Sequence, residues 1–210
     1  KINIIGNKRI TAQIKILDVT KGKAMTEWIS EIDKRVCLDL VIANAGIAGN
    51  RFDYGQAINS TRMIFNTNIE GVLNTVIPAL NCMEKQGSGQ IAIMSSLASF
   101  RGFSGAPSYI ATKAAVRIWG EGLRERYKEK GVKVSVICPG FVKSRITEKN
   151  LFWMPLLMSS EKAAKIICRG LHKNYPRIAF PRRMYFIALA FSLLPTFLAN
   201  LLTTKIPQKE

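Results

Sequence analysis

Residues 90–113 read QIAIMSSLASFRGFSGAPSYIATK. The opening QIAIMS is a continuous apolar run, short and free of polar alternation, as a strand covered on both faces would be. It stops at Ser95-Ser96. From Ser108 the spacing becomes helical and runs to about residue 130, where Gly131 is a stop signal. A buried strand, a turn and a long helix make one βα unit.

The same grammar repeats outward from this stretch. Residues 132–137 (VKVSVI) are the next strand, closed by Pro139-Gly140, and residues 39–43 (DLVIA) are the preceding one, closed by Asn44-Ala45-Gly46. Residues 61–86 read as a long helix ended by Gly87-Ser88-Gly89. Residues 11–18 (TAQIKILD) alternate as a strand, and Trp28, Ile29 and Ile32 follow helical spacing. Residues 160–173 form a helix with Ser159 or Ser160 as cap, and residues 178–180 a short strand ending at Pro181. Strands separated by helices of this length predict an α/β fold: a Rossmann-like, doubly wound parallel sheet in three layers. Ligands of such sheets bind off the carboxyl ends of the strands.

Composition bounds the partners. A chain of 210 residues, 48% hydrophobic and 21% charged, can bury one sizeable core. The net charge of +17 would suit nucleic acid or an anionic surface. The basic residues are scattered (Lys8, Arg9, Lys21, Lys34, Arg35, Arg124, Arg126, Lys128, Lys130) without interleaved aromatics, so no nucleic-acid partner is expected. Cys37, Cys82, Cys138 and Cys168 form no CxxC or Cys/His cluster and read as buried, reduced thiols of a cytoplasmic protein. His172 is the only histidine, so no metal site is expected.

Tyr109 and Lys113 stand four residues apart and share a helix face. An ammonium beside a phenol favours the phenolate and can pull its pKa down from about 10, which would make Tyr109 a usable acid/base. Alone, such a pair is as readily two residues on a solvated face. Ser96 closes the preceding strand and could bond the same oxygen. Asn68 interrupts a helix in which Asn is a poor former. Each has a bland reading as a turn, loop or exposed residue; their order and spacing together are far more specific.

On these residues the sequence resembles the short-chain dehydrogenase/reductase family. The matching residues are Asp18 in LDVT, Asn44-Ala45-Gly46, Asn68 in NIEG, Ser96 in MSSLAS, Tyr109 and Lys113 in YIATK, and Pro139-Gly140 in CPGFVKS. The likeness runs from about residue 10 to 181 and implies an oxidoreductase interconverting a ketone and a secondary alcohol with NAD or NADP. It implies Tyr109 as acid/base, Lys113 lowering its pKa and binding the nicotinamide ribose, Ser96 holding the substrate oxygen, and Asn68 anchoring a relay water. It places Asp18 and Val19 near the adenine, Asn44, Ala45 and Gly46 along the cofactor cleft, and Pro139, Gly140, Val142 and Ser144 beside the nicotinamide. Family habit implies a homodimer or homotetramer through the two long helices.

The family's Gly-rich phosphate turn, TGxxxGxG, is absent from these 210 residues, and with it the residue that selects NAD or NADP. The chain opens mid-stream on Lys1-Ile2-Asn3, so a longer native polypeptide is expected, supplying a first strand, helix and second strand. Without them, the strand at residues 11–18 would lose its neighbour and residues 39–43 would be an apolar edge. A competing reading is an incompetent fragment of this fold that only binds a partner or a membrane surface.

Two segments fall outside the motif set. Residues 151–158 (LFWMPLLM) suit either a packed short helix or an apolar lid over a lipophilic substrate, with Phe103, Phe141 and Trp153 in the same pocket. The chain divides into a catalytic domain, residues 1–181, and a tail, residues 182–210. Within the tail, residues 184–202 (MYFIALAFSLLPTFLANLL) are flanked by Arg182, Arg183 and Lys205. At 1.5 Å per residue they reach only about 28 Å, barely a bilayer span. Peripheral membrane contact, docking on the chain's own domain or a sister subunit, and a true span are all open.

Overall fold

The computed structural model describes residues 12–48, 54–148 and 153–203. Thr11, Leu151, Phe152 and Lys205, which enter the expectations above, lie outside the described residues.

Among the described residues, four parallel strands form one sheet in sequential order: β1 (Leu40–Ala43), β2 (Gly89–Met94), β3 (Val132–Pro139) and β4 (Arg177–Phe180). Ile91 pairs with Val41 on one side and Val134 on the other. All four strands run the same way, so the turns after Ala43, Met94, Pro139 and Phe180 gather at one end of the sheet.

Alternation along the strands builds two cores. Ile91 and Ile93 of β2 face the cluster formed with α1 (Gly22–Arg35), α3 (Gly71–Gln86) and α4 (Pro107–Arg126). Ala92, between them, faces α6 (Ser160–His172) with Ile137, Ala163, Leu171 and Ile178. Helices therefore cover both faces, in the expected three layers.

The long helix begins earlier than the spacing predicts and is not uniform. α2 (Tyr54–Phe65) passes through a π-helical segment, Asn66–Glu70, into α3. Gly87 closes α3 at φ 71, and its neighbour in space, Gly131, stands at φ 73. A Cβ on Gly131 would lie 2.0 Å from the Gly87 carbonyl oxygen, so glycine is required there for both its angle and the close approach. Ser159 is the cap of α6, accepting from the Lys162 amide at 3.3 Å.

Three expectations are corrected. Residues 12–18 form no strand: Ile14 is 80% and Ile16 97% exposed, and among the described residues no strand lies beside them. Alternation alone cannot supply the ladder a strand needs. β1 is accordingly an edge, with Leu40 and Ile42 exposed. Cys37 and Cys168 are exposed rather than buried, on the loop after α1 and on α6, while Cys138 in β3 is fully enclosed. The tail forms two short helices, α7 (Arg182–Leu193) and α8 (Thr196–Thr203), separated at Leu194-Pro195. Among the described residues no helix is long and apolar enough to cross a membrane.

Candidate active site

The first turns of α4 bring Tyr109 and Lys113 to the carboxyl end of β2. Pro107 suits the helix start, where its lost amide costs nothing. Gly120 lets the helix lie close to the sheet: a Cβ there would meet Val136 Cγ2 at 2.7 Å and Ile93 Cδ1 at 3.0 Å. Lys113 is 3% exposed, and its ammonium donates to the Met94 carbonyl at 2.9 Å. It lies over the Tyr109 ring, 5.8 Å from the centroid. Burial disfavours its charge and lowers its pKa to about 8.

Tyr109 is half-buried and hydrogen-bonded to Ser96. Burial pushes the phenol above its ordinary value, and the Ser96 bond offsets part of that rise. The direction is opposite to that expected from Lys113. The ammonium is aimed at a backbone carbonyl and is itself desolvated, so burial outweighs its pull.

The two serines of MSSLAS divide the work. Ser95 Oγ donates to the Lys113 carbonyl at 2.8 Å and ties the strand end to α4. Ser96 caps the 3₁₀ turn Leu97–Phe100, accepting from the Ala98 amide at 3.1 Å while bonding Tyr109. Ser99 Oγ donates to the Ser96 carbonyl at 2.6 Å, and Arg117 Nε donates to Ser99 Oγ at 3.1 Å. Arg117 follows Tyr109 and Lys113 on the same helix face. Its charge is balanced by Glu121 at 3.2 Å, which also receives Arg177 at 2.6 Å.

Asn68 is 0% exposed, inside the π segment. Its Oδ1 accepts from the Ile47 amide at 2.8 Å. Its Nδ2 donates to the Ile47 carbonyl at 2.9 Å and to Thr112 Oγ1 at 3.1 Å. Thr112 in turn donates to the Tyr109 carbonyl at 2.8 Å. Asn68 thus joins the turn after β1 to the helix that carries Tyr109. Both amide hydrogens and one acceptor position of Oδ1 are engaged, so the polar interruption of the helix is explained by this join. Gly46 sits in the join: a Cβ would lie 3.2 Å from Lys113 Nζ and 3.3 Å from Asn68 Oδ1.

Asn68, Ser96, Tyr109, Lys113 and Gly46 are therefore one cluster, with Asn44 and Ala45 on the same turn as Gly46. Pro139 ends β3, and the Gly140 amide donates to Phe180 at 2.7 Å. Val142 bridges to Met158, and exposed Ser144 is bonded to Thr147 at the start of α5 (Arg145–Glu148). Asp18 is exposed and accepts from the Thr20 amide at 2.9 Å and hydroxyl at 2.8 Å, which hold its carboxyl below the usual range. Val19 packs on Gly71, and its carbonyl accepts from Asn74 at 2.9 Å. Trp153 is 84% exposed and covers nothing in this arrangement.

Sequence reasoning missed Ser95, Thr112, Asn74 and Arg117. The doubled serine and the Thr directly before Lys113 were visible signals; Arg117 and Asn74 carried none beyond helical spacing. A groove of 1020 Å³ lies along residues 58–70, lined by Ile58, Met63, Phe65 and Ile69. Its lining includes none of Asn68, Ser96, Tyr109 and Lys113, and Thr61 bonds Ser108 at 3.0 Å, so size does not make it the candidate site.

The short chain dehydrogenase family model matches residues 2–154. The chain belongs to this family of oxidoreductases. An uncharacterized oxidoreductase of Myxococcus xanthus is 37% identical over 173 residues, spanning 82% of this chain and 68% of that one. The ketoacyl reductase HetN of Nostoc sp. is 29% identical over 141 residues, 67% of this chain and 48% of its own length. The structure of ElxO with NADP bound is similar at a TM-score of 0.68 and 27% identity, over 78% of this chain and 73% of that one. Across such relatives the dehydrogenase chain spans from about half to somewhat over two-thirds of their length. The cofactor of the family is NAD or NADP. The residues present fit its nicotinamide–ribose end: Gly46 leaves a cradle a side chain would fill, beside a buried ammonium.

Proposed function

We propose that this site interconverts a ketone and a secondary alcohol, with Tyr109 as proton donor and acceptor. The observation that carries the proposal is the Tyr109 hydroxyl bonded to Ser96 beside an enclosed Lys113. When bound, the nicotinamide supplies or accepts the hydride. Ser96 and Tyr109 hold the substrate oxygen, and the raised pKa keeps the phenol protonated at neutral pH, ready to donate as a carbonyl is reduced. Lys113 and Gly46 receive the ribose end, with Asn44, Ala45, Pro139, Gly140, Val142 and Ser144 bordering the ring and Asp18 and Val19 toward the adenine. Asn68 braces the site and anchors the water that returns a proton past Lys113.

The substrate we propose is apolar or lipid-like, an inference supported by Phe103, Phe141 and the apolar segment that ends at Met158. The ketoacyl reductase name of one relative supports reduction as the direction. A homo-oligomer through the long helices is supported by exposed Ile58, Met63, Ile77 and Ile118. The four free cysteines support a cytoplasmic setting. Contact of the tail with a membrane belongs to the same picture but rests on other residues.

The test follows the reduced-nicotinamide absorbance with a panel of apolar ketones and secondary alcohols. Tyr109→Phe should lower turnover by about 10³-fold with the fold intact. Turnover that survives this change removes the acid/base role assigned to Tyr109.

A further inference from the structure

The outward face of the C-terminal helices is apolar, the reverse of an ordinary surface helix. Arg182, Arg183, Phe186, Ile187, Ala190 and Leu193 of α7 are all exposed. At 3.6 residues per turn they fall within about 140° of the helix surface, the two arginines at one end. After Pro195, Phe197 and Leu198 of α8 are exposed as well.

The opposite face fixes the helix to the domain. Met184 and Tyr185 pack against Leu97, Val136 and Cys138. Tyr185 stands edge-on to Phe100 at 5.6 Å and accepts from Arg177 at 3.0 Å. Arg101 donates to the carbonyls of Phe191 at 3.0 Å and Leu194 at 2.5 Å. α7 is therefore docked, with its second apolar face turned to solvent.

We propose that this face is a docking surface for an anionic lipid bilayer, with α7 and α8 lying in the plane of the headgroups. Neither helix, at 12 and 8 residues, is long enough to span. A row of large apolar side chains edged by cations is what an interfacial helix presents to such a surface. Residues 182–203 contain no Asp or Glu, and the whole chain carries +17. A second copy fits less well, because pairing the face with itself adds arginines and offers them no carboxylate from the same helices. Docking would set the turn at Ser96 and Gly140 beside the bilayer, since α7 packs on Leu97 and Met184 lies against Gly140. An apolar substrate could then enter from lipid. The surface stands independently of the reaction proposed above.

The test is co-sedimentation of the full chain with phosphatidylcholine vesicles, with and without phosphatidylglycerol. The expected result is binding that requires phosphatidylglycerol and weakens with salt. The combined variant Phe186→Ser, Ile187→Ser, Leu193→Ser should weaken it by at least about a hundredfold, and Arg182→Gln with Arg183→Gln by about tenfold or more. Circular dichroism checks the fold; should the apolar variant fail to fold, the arginine pair carries the test alone. Wild-type protein that stays in the supernatant overturns the proposal, as does binding that every folded variant retains. A wild-type dimer that the apolar variant splits, with no vesicle binding by either, overturns it in favour of a second copy.

Discussion

The start of α4 and the edge at β1 differ sharply. Around the start of α4, Asn68 and Thr112 are bonded and sealed, and Lys113 is bonded and nearly so. Toward β1 and residues 12–19, apolar side chains face solvent and one predicted strand has no ladder. The difference teaches that the cluster at the start of α4 is held by bonds between elements distant in sequence, while apolar residues with no strand beside them among the described residues stay solvated.

The comparison breaks first at Lys113. Lys113→Met should cost about 10³-fold in turnover. Its pKa of about 8 lies below the ordinary lysine value of 10.5, so the unfolded chain binds more protons between these limits. This group therefore raises stability as pH climbs through that window, and the variant should lack that increment. Cys138, raised to about 11, acts oppositely above pH 9, so the difference between wild type and variant in chemical denaturation is the measurement that isolates Lys113.

Next in size is packing. Ile93→Ala, in the enclosed strand, should lose about 3 kcal/mol by thermal or denaturant unfolding. Gly46→Ala should then slow turnover by about 10²-fold, because the new methyl displaces Lys113 Nζ and the Asn68 amide by a fraction of an ångström. Its unfolding midpoint should move far less than that of Ile93→Ala. The smallest effect is expected at Ile16→Ser, within about 0.5 kcal/mol, since the side chain is already solvated. A larger loss there would mean that residues 12–18 are packed, and the contrast between the two regions would fall.

Much of this was legible beforehand. Apolar runs closed by turn residues located β1 to β4 to within a few residues, since a parallel strand covered on both faces is mostly apolar. The chemistry-bearing set was also legible, because Asn68, Ser96, Tyr109 and Lys113 lie at element ends or interrupt a pattern. The alternation at residues 11–18 misled, since a two-residue period reports which face would be buried, not whether a partner strand exists. The phenol's pKa misled as well: a spacing of four reports a shared face but neither the burial nor the direction of the ammonium.

Local spacing, then, determined the order of strands and helices along the chain and singled out the residues we propose as the reacting groups, because those depend on residue type along the chain. Only the tertiary structure decided that Lys113 points at Met94, that Asn68 spends its amide on Ile47 and Thr112, and that α7 shows an apolar face to solvent. Each of these depends on which surfaces meet across distant parts of the sequence, and hydrogen-bond partners and desolvation are properties of that meeting rather than of any one segment.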